Sequence, residues 1–256
     1  MRPVTYLFFL PFEKDTMIDR PNIILIYTDQ QRYDTLGING NALIQTPNLD
    51  AMGRDGMHFR RGYVTTPICV CSRVALFTGR YNHTNLSYSN GRPIFDREVD
   101  GASVLRANGY RTALIGKDHC FGDERLKQAF DHTWVASHAG FRDPETDAHR
   151  RVNEARESTM YLPFTDDPVP PEENITGDLF RSAREYIDDQ GSEPFFMWLS
   201  IPDPSREIYR QSVPQSWEIT MGIISVRKSV RDGQKGCGRI GGSIVSHRVM
   251  WTNSTI

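Results

Sequence analysis

The sequence predicts an α/β fold with a largely parallel sheet flanked by helices. Three apolar runs lack the polar alternation of a half-exposed strand, which is typical of strands covered on both faces. They are residues 22–28, 112–115 and 195–200. Segments with helix caps alternate with these runs, and this alternation favours a parallel sheet. A chain of 256 residues with 38% hydrophobic and 24% charged residues is long enough for one large globular domain or two small ones.

The composition narrows the classes of partner and cofactor. A formal net charge of -2 gives no basic field over one face, so we expect no nucleic-acid partner. The four cysteines are too few for a disulfide framework in a chain of this length, and they lack the paired spacing of a zinc ribbon. One alternative is a zinc or redox site formed by Cys69, Cys71, His119 and Cys120.

Residues 1–19 form an N-terminal extension ahead of the first predicted strand. A short apolar run at residues 6–10 is followed at once by proline and charged residues, without a small-residue cleavage site. The run is also too short to cross a membrane. We therefore expect no signal peptide and no transmembrane segment, and a cytoplasmic location if the N-terminus is as given.

The first predicted strand, residues 22–28, ends in the polar residues Asp29 and Gln30. Open α/β sheets build their ligand sites at the carboxyl ends of parallel strands. Asp29 and Gln30 are therefore candidate ligands, with a solvated turn as the alternative. A capped helix follows, with Thr46 at its start, Pro47 in its first turn and Gly56 after its end. Residues 58–66 are expected to form a short strand.

The stretch from residue 67 to residue 80 is the strongest candidate for a functional site. It places Cys69 just before a short helix that begins near Ser72 and Arg73 and ends at Gly79. Free amides and the helix dipole favour an anion at a helix start, and Arg73 adds a fixed charge. The alternative for Cys69 is a small hydrophobic residue buried against the helix.

A second candidate group follows the strand at residues 112–115. A helix over residues 102–108, closed by Gly109, precedes this strand, and Lys117 and His119 come directly after it. Residues two apart in extended backbone lie on the same side, so both side chains could reach one anion. The alternative is that both are ordinary surface residues.

The remaining chain is less regular in sequence. Residues 122–174 are polar and proline-containing, which predicts little regular structure, with residues 168–173 as a linker. Residues 175–189 regain helical periodicity. Beyond residue 205 the chain is basic and glycine-rich. We divide the chain into an extension (1–19), a main domain that carries the candidate site residues (20–204) and a tail (205–256).

Four motifs occur in the same order as in one known family. They lie at residues 20–32, 46–50, 69–80 and 116–119, and the similarity continues through residues 194–204. Together they resemble the N-terminal portion of a type I, formylglycine-dependent sulfatase of the alkaline-phosphatase-like superfamily. The resemblance implies a truncated alkaline-phosphatase-like sheet and a sulfuric ester hydrolase that acts on a sulfated small molecule or glycan.

The resemblance also implies residue roles. Cys69 occupies the position that a maturation enzyme oxidises to formylglycine, whose hydrated aldehyde attacks sulfur. Asp29, Gln30 and residue 69 match ligands of a calcium ion, for which Mn²⁺ or another divalent metal is an alternative. Three further residues match groups that support the aldehyde and the transferring sulfuryl group: Arg73, Lys117 and His119. Many family members are periplasmic or secreted.

The chain departs from the family pattern at three points. Cys71 stands where the family has a proline, Ser205 stands where it has a histidine, and the later Asp-His or Asp-Asn metal pair has no match. These departures leave an inactive fragment with a residual anion site as one alternative. A phosphonate or phosphodiester hydrolase of the same superfamily is another, because such relatives also carry an Asp-Gln pair.

Overall fold

The computed structural model describes residues 20–137, 139–159, 174–204, 220–226 and 250–254. The strands are β1 (Asn22–Asp29), β2 (Met57–Gly62), β3 (Arg111–Gly116), β4 (His132–Trp134), β5 (Ala136–Ser137), β6 (Gly140–Phe141), β7 (Phe195–Pro204), β8 (Thr220–Val226) and β9 (Met250–Ser254). The helices are α1 (Pro47–Asp55), α2 (Cys69–Thr78), α3 (Asn82–Asn85), α4 (Gly101–Ala107), α5 (Asp123–Ala129), α6 (Asp147–Thr159) and α7 (Ile175–Asp188).

Seven strands form one mixed sheet in the order β2-β9-β8-β1-β7-β3-β4. β1, β7, β3 and β4 are parallel neighbours, which confirms the predicted α/β fold with a largely parallel sheet. β8 runs antiparallel to both β1 and β9, and β2 runs parallel to β9. β7 lies between β1 and β3, so the carboxyl ends of these three strands are adjacent.

Both faces of the sheet are covered, as the unbroken apolar runs predict. On one face, Tyr27 and Trp198 pack with residues of α2, α4 and α5. On the other face, Met197 and Leu199 pack with residues of α6 and α7. Successive residues of β7 thus enter opposite cores, because side chains alternate across a strand. This arrangement fixes α2 on the face that carries Tyr27 and Trp198.

Most predicted elements lie within a residue or two of their expected bounds, but the polar stretch at residues 122–174 does not match its prediction. It contains α5, α6 and three short strands, so the expectation of little regular structure was wrong. The reason is that its charges lie on exposed helix faces while Leu126, Ala129 and Val152 are buried. The predicted linker at residues 168–173 lies outside the described residues.

Two strands from beyond residue 205 join the sheet. β8 pairs with β1 from Asn22↔Val226 to Tyr27↔Met221, and β9 pairs with β8. Two parts of the predicted tail thus pair with strands of the sheet. The extension at residues 1–19 and the rest of the tail lie outside the described residues, so the three-segment division stays a prediction. Within the described ranges, no helix is both long and apolar enough to cross a membrane.

Candidate active site at the carboxyl edge of the sheet

Three strands place polar residues at one edge of the sheet. In the register of β1, β7 and β3, Tyr27 pairs with Ser200 and Ser200 pairs with Gly116. Asp29 ends β1, and Lys117 directly follows β3, where its backbone N–H donates to the Ser200 carbonyl at 2.8 Å. A Cβ at Gly116 would lie 1.9 Å from that carbonyl oxygen, and its φ is +112°. Only glycine allows the two strands to approach this closely.

Asp29 is the anionic centre of a buried cluster. Its Oδ2 lies 2.5 Å from Lys117 Nζ and 3.4 Å from Arg73 Nη2. The side chains of Asp29, Arg73 and Lys117 are 1%, 0% and 6% exposed. Two cations therefore share one carboxylate away from water, where charges interact strongly. The excess positive charge of these three groups favours an anionic ligand.

Arg73 is held on three sides. Its Nη1 donates to the Lys117 carbonyl at 2.9 Å and to Ser200 Oγ at 2.7 Å. Its guanidinium also lies over two aromatic rings, 4.7 Å from the Tyr27 centroid and 5.4 Å from that of Trp198. Burial disfavours the charged guanidinium, but Asp29 and other nearby groups outweigh burial and raise the pKa of Arg73. Arg73 is therefore a fixed and permanent positive charge.

Cys69 lies at the start of α2 and contacts Asp29. It is the first residue of the helix, not the residue before it as predicted, and Gly79 closes the helix in the left-handed region. Its Sγ donates to Asp29 Oδ1 at 3.6 Å. Burial and the Asp29 charge raise the pKa of the thiol. The thiol is therefore protonated at neutral pH and is a poor nucleophile in its unmodified form.

The surroundings of Cys69 are also polar and ordered. The next backbone amide, at Val70, donates to Asn90 Oδ1 at 3.3 Å. The hydroxyls of Ser72 and Tyr27 share a hydrogen bond of 2.9 Å below the cluster. Burial raises the pKa of Tyr27 to about 12, so this hydroxyl stays neutral at physiological pH. The floor of the site is therefore uncharged beneath Arg73.

Gln30 and His119 have unusual backbone geometry. Both are non-glycine residues with positive φ, 56° at Gln30 and 63° at His119. The extended backbone assumed for Lys117 and His119 is therefore absent, and that argument was wrong: Lys117 is buried, whereas His119 is exposed. Strained backbone of this kind often lies at functional sites. The roles expected for Gln30 and His119 stay predictions.

The described residues offer few ligands for a metal. Asp29 and Gln30 carry the hard oxygen donors that calcium prefers, and Cys69 lies beside them. Calcium takes six to eight oxygen ligands, so others would come from outside this group. Across the described ranges, no three His, Cys, Asp or Glu side chains come together to hold a metal. This finding contradicts the alternative of a zinc site at Cys69, Cys71, His119 and Cys120.

The sequence reasoning missed Ser200. This residue is fully buried, and it contacts Arg73 through its side chain and Lys117 through its backbone. The available signal was a single hydroxyl at the end of the apolar run 195–200. Polar residues at that end of a buried parallel strand face the ligand edge of the sheet.

Comparison with known proteins identifies relatives of this chain. A family model described as Sulfatase matches residues 21–205. The chain is 40% identical over 109 residues to an arylsulfatase of Clostridium perfringens, covering 42% of this chain and 22% of the relative. It is 30% identical over 211 residues to an ulvan-active sulfatase of Formosa agariphila, covering 78% of this chain and 38% of the relative.

A solved structure supports the same conclusion. The structure of Ps i-CgsB in complex with k-i-k-neocarrahexaose matches with a TM-score of 0.59 and 27% identity, covering 75% of this chain and 47% of that chain. The chain thus spans less than half the length of each of these proteins. Members of the family generally use a formylglycine and a divalent metal. On the family match and the alkaline-phosphatase-like fold together, the chain belongs to the sulfatase family.

Proposed function

We propose that the protein hydrolyses a sulfate ester, with a formylglycine made from Cys69 as its nucleophile. One observation carries the proposal: Cys69 contacts Asp29 within a buried cluster whose two cations outnumber its one carboxylate. A site with excess positive charge and little water favours the negative charge of a sulfate ester and of its transition state.

The Cys69 thiol requires conversion before it takes part. A maturation enzyme would oxidise it with an external oxidant and replace the sulfur and two hydrogens of the side chain with one oxygen. One hydroxyl of the hydrated aldehyde would then attack sulfur, and the ester S–O bond would break so that the alcohol leaves with a proton. Loss of the proton from the second hydroxyl would re-form the aldehyde, break its bond to the sulfate oxygen and release sulfate. Asp29 accepts the hydrogen bond of the present thiol at 3.6 Å, which supports a role in holding the proton of the group at position 69.

Arg73 and Lys117 would bind the sulfuryl oxygens. Both are buried, and both already contact a carboxylate oxygen, which has the size and charge of a sulfate oxygen. Because Arg73 is held by neutral hydrogen bonds as well, its charge stays in place as the ester bond breaks. The exposed His119 is the third group proposed to hydrogen-bond the sulfuryl group or the hydrated aldehyde.

The divalent metal in this proposal is calcium. Asp29, Gln30 and the oxygen at position 69 would hold it, with Mn²⁺ or another divalent ion as the alternative. Bound there, the ion would supply Lewis-acid stabilisation of a sulfate oxygen. Asp29 would then exchange part of its contact with Lys117 for the ion.

The proposed substrate class is a sulfated small molecule or a sulfated glycan. The names of the relatives support this class, since one is an arylsulfatase and another an ulvan-active sulfatase. The solved structure of Ps i-CgsB contains k-i-k-neocarrahexaose.

The proposal is tested by producing the protein together with a formylglycine-generating enzyme and measuring the mass of the peptide that contains Cys69. We expect the mass of formylglycine in the wild type, and no change in a Cys69→Ala control. Converted protein should hydrolyse sulfate esters faster than phosphodiesters. A fully unconverted Cys69 peptide, or converted protein that hydrolyses neither ester, would instead support the inactive fragment. A preference for the phosphodiester would support the phosphonate or phosphodiester hydrolase.

A further inference from the structure

We propose that Ser200 is a positioning residue that fixes Arg73 and Lys117 relative to each other. The inference rests on the proposed function only for the identity of the anion. Ser200 lies on β7, between the strands that carry Asp29 and Lys117, and its side chain is fully buried. The family similarity over residues 194–204 includes Ser200 but assigns it no role.

The side chain of Ser200 acts on Arg73. Its Oγ accepts from Arg73 Nη1 at 2.7 Å, the shortest hydrogen bond of that guanidinium. Arg73 Nε has no hydrogen-bond partner among the described residues, and the Nη2 contact with Asp29 is long at 3.4 Å. Besides the Tyr27 and Trp198 rings, the guanidinium is therefore oriented by two acceptors at Nη1. One is Ser200 Oγ and the other is the Lys117 carbonyl.

The backbone of Ser200 acts on Lys117. Its carbonyl accepts from the Lys117 N–H at 2.8 Å, and the same carbonyl lies where a Gly116 side chain would otherwise stand. Since the Lys117 carbonyl in turn accepts from Arg73, the two cationic residues and Ser200 form a closed ring of hydrogen bonds. One residue thus contacts the Arg73 guanidinium through its side chain and the Lys117 backbone through its carbonyl.

Loss of the Ser200 hydroxyl should remove the hydrogen bond between Arg73 and Ser200 from this ring. In Ser200→Ala, Nη1 keeps the Lys117 carbonyl but loses its shorter bond, so the guanidinium can rotate about the Cζ–Nε bond. A hydrogen bond from a charged donor is stronger than one between neutral groups. We expect weaker binding of inorganic sulfate by roughly 10-fold or more, and a lower kcat with a smaller change in KM.

The matched control is Ser87→Ala. Ser87 also presents a buried hydroxyl, but that hydroxyl donates to the Arg92 carbonyl at 2.7 Å and does not contact the guanidinium. Both variants lose one buried hydrogen bond, so both should lower the free energy of unfolding. Only Ser200→Ala should weaken sulfate binding, and Ser200→Thr, which keeps the hydroxyl, should restore part of it.

A direct readout separates this inference from the proposed function. We would record the NMR signals of the Arg73 guanidinium in the three variants and the wild type. Separate Nη1 and Nη2 signals are expected in the wild type, Ser87→Ala and Ser200→Thr, and merged or broadened signals in Ser200→Ala. Separate, unchanged signals in Ser200→Ala would overturn the inference, whether or not the protein turns over a sulfate ester.

Discussion

Replacing Asp29 by asparagine should destabilise the protein strongly. Asn keeps the shape of the side chain but removes the carboxylate that contacts both Arg73 and Lys117. Both cations then stay buried and lose this shared partner. Removal of one partner from a buried ion pair costs about 3–5 kcal/mol, which is a large part of the stability of a typical domain.

The same structure predicts a smaller cost for Lys117→Met. In that variant, Asp29 and Arg73 still form a neutral pair, so no buried charge lacks a partner. The double variant Asp29→Asn/Lys117→Met leaves one buried cation instead of two. Its cost should therefore be below the sum of the two single costs, by about 0.5–3 kcal/mol.

Urea unfolding followed by tryptophan fluorescence measures these free energies, because Trp198 is buried beside Arg73. Sulfate should stabilise Asp29→Asn more than the wild type, since the anion replaces the lost carboxylate. An Asp29→Asn cost below about 1 kcal/mol, or strictly additive costs in the cycle, would refute this electrostatic account of the site.

Three further predictions concern calcium binding, the close strand contact at Gly116 and the protonation of His149. Lys117→Met should bind calcium about 10-fold more tightly than the wild type by calorimetry, because it removes the competitor for Asp29; unchanged affinity would contradict that competition. Gly116→Ala should lower the free energy of unfolding by at least about 2 kcal/mol, because its Cβ would meet the Ser200 carbonyl; a neutral effect would contradict the close strand approach. Burial, followed by nearby arginine charge, lowers the pKa of His149, whose Nδ1 accepts two backbone N–H groups. The contribution of neutral His149 to the free energy of unfolding should be fully present above the unfolded-state pKa of about 6.5 and should decrease as the pH falls below that value. His149→Gln should remove this pH dependence of stability. An identical pH profile in the variant would contradict the prediction.

Much of the fold is predictable because its signals are local. Apolar runs mark β1, β3 and β7, and Gly79 and Gly56 mark helix ends, since each depends on a few neighbouring residues. The order of strands is not local. β7 inserts between β1 and β3 although it follows both in the chain, and nothing in its own sequence specifies those neighbours.

The part of the site that depends on local motifs is predictable from the sequence, and the part that depends on strand pairing is not. The family motifs identify Asp29, Cys69, Arg73 and Lys117, which the structure brings into contact. They assign no role to Ser200, because its contacts depend on strand pairing. Nor do they show the left-handed backbone of His119, which the tertiary structure imposes on a residue type that does not require it.

The nucleophile that we propose for sulfate ester hydrolysis is the formylglycine at position 69. The most direct test is the release of the alcohol from a chromophoric aryl sulfate by protein whose Cys69 peptide has the formylglycine mass, with and without calcium. The account predicts calcium-dependent turnover that is lost in Cys69→Ala and in protein produced without the maturation enzyme. Equal rates in the converted wild type and Cys69→Ala would contradict it.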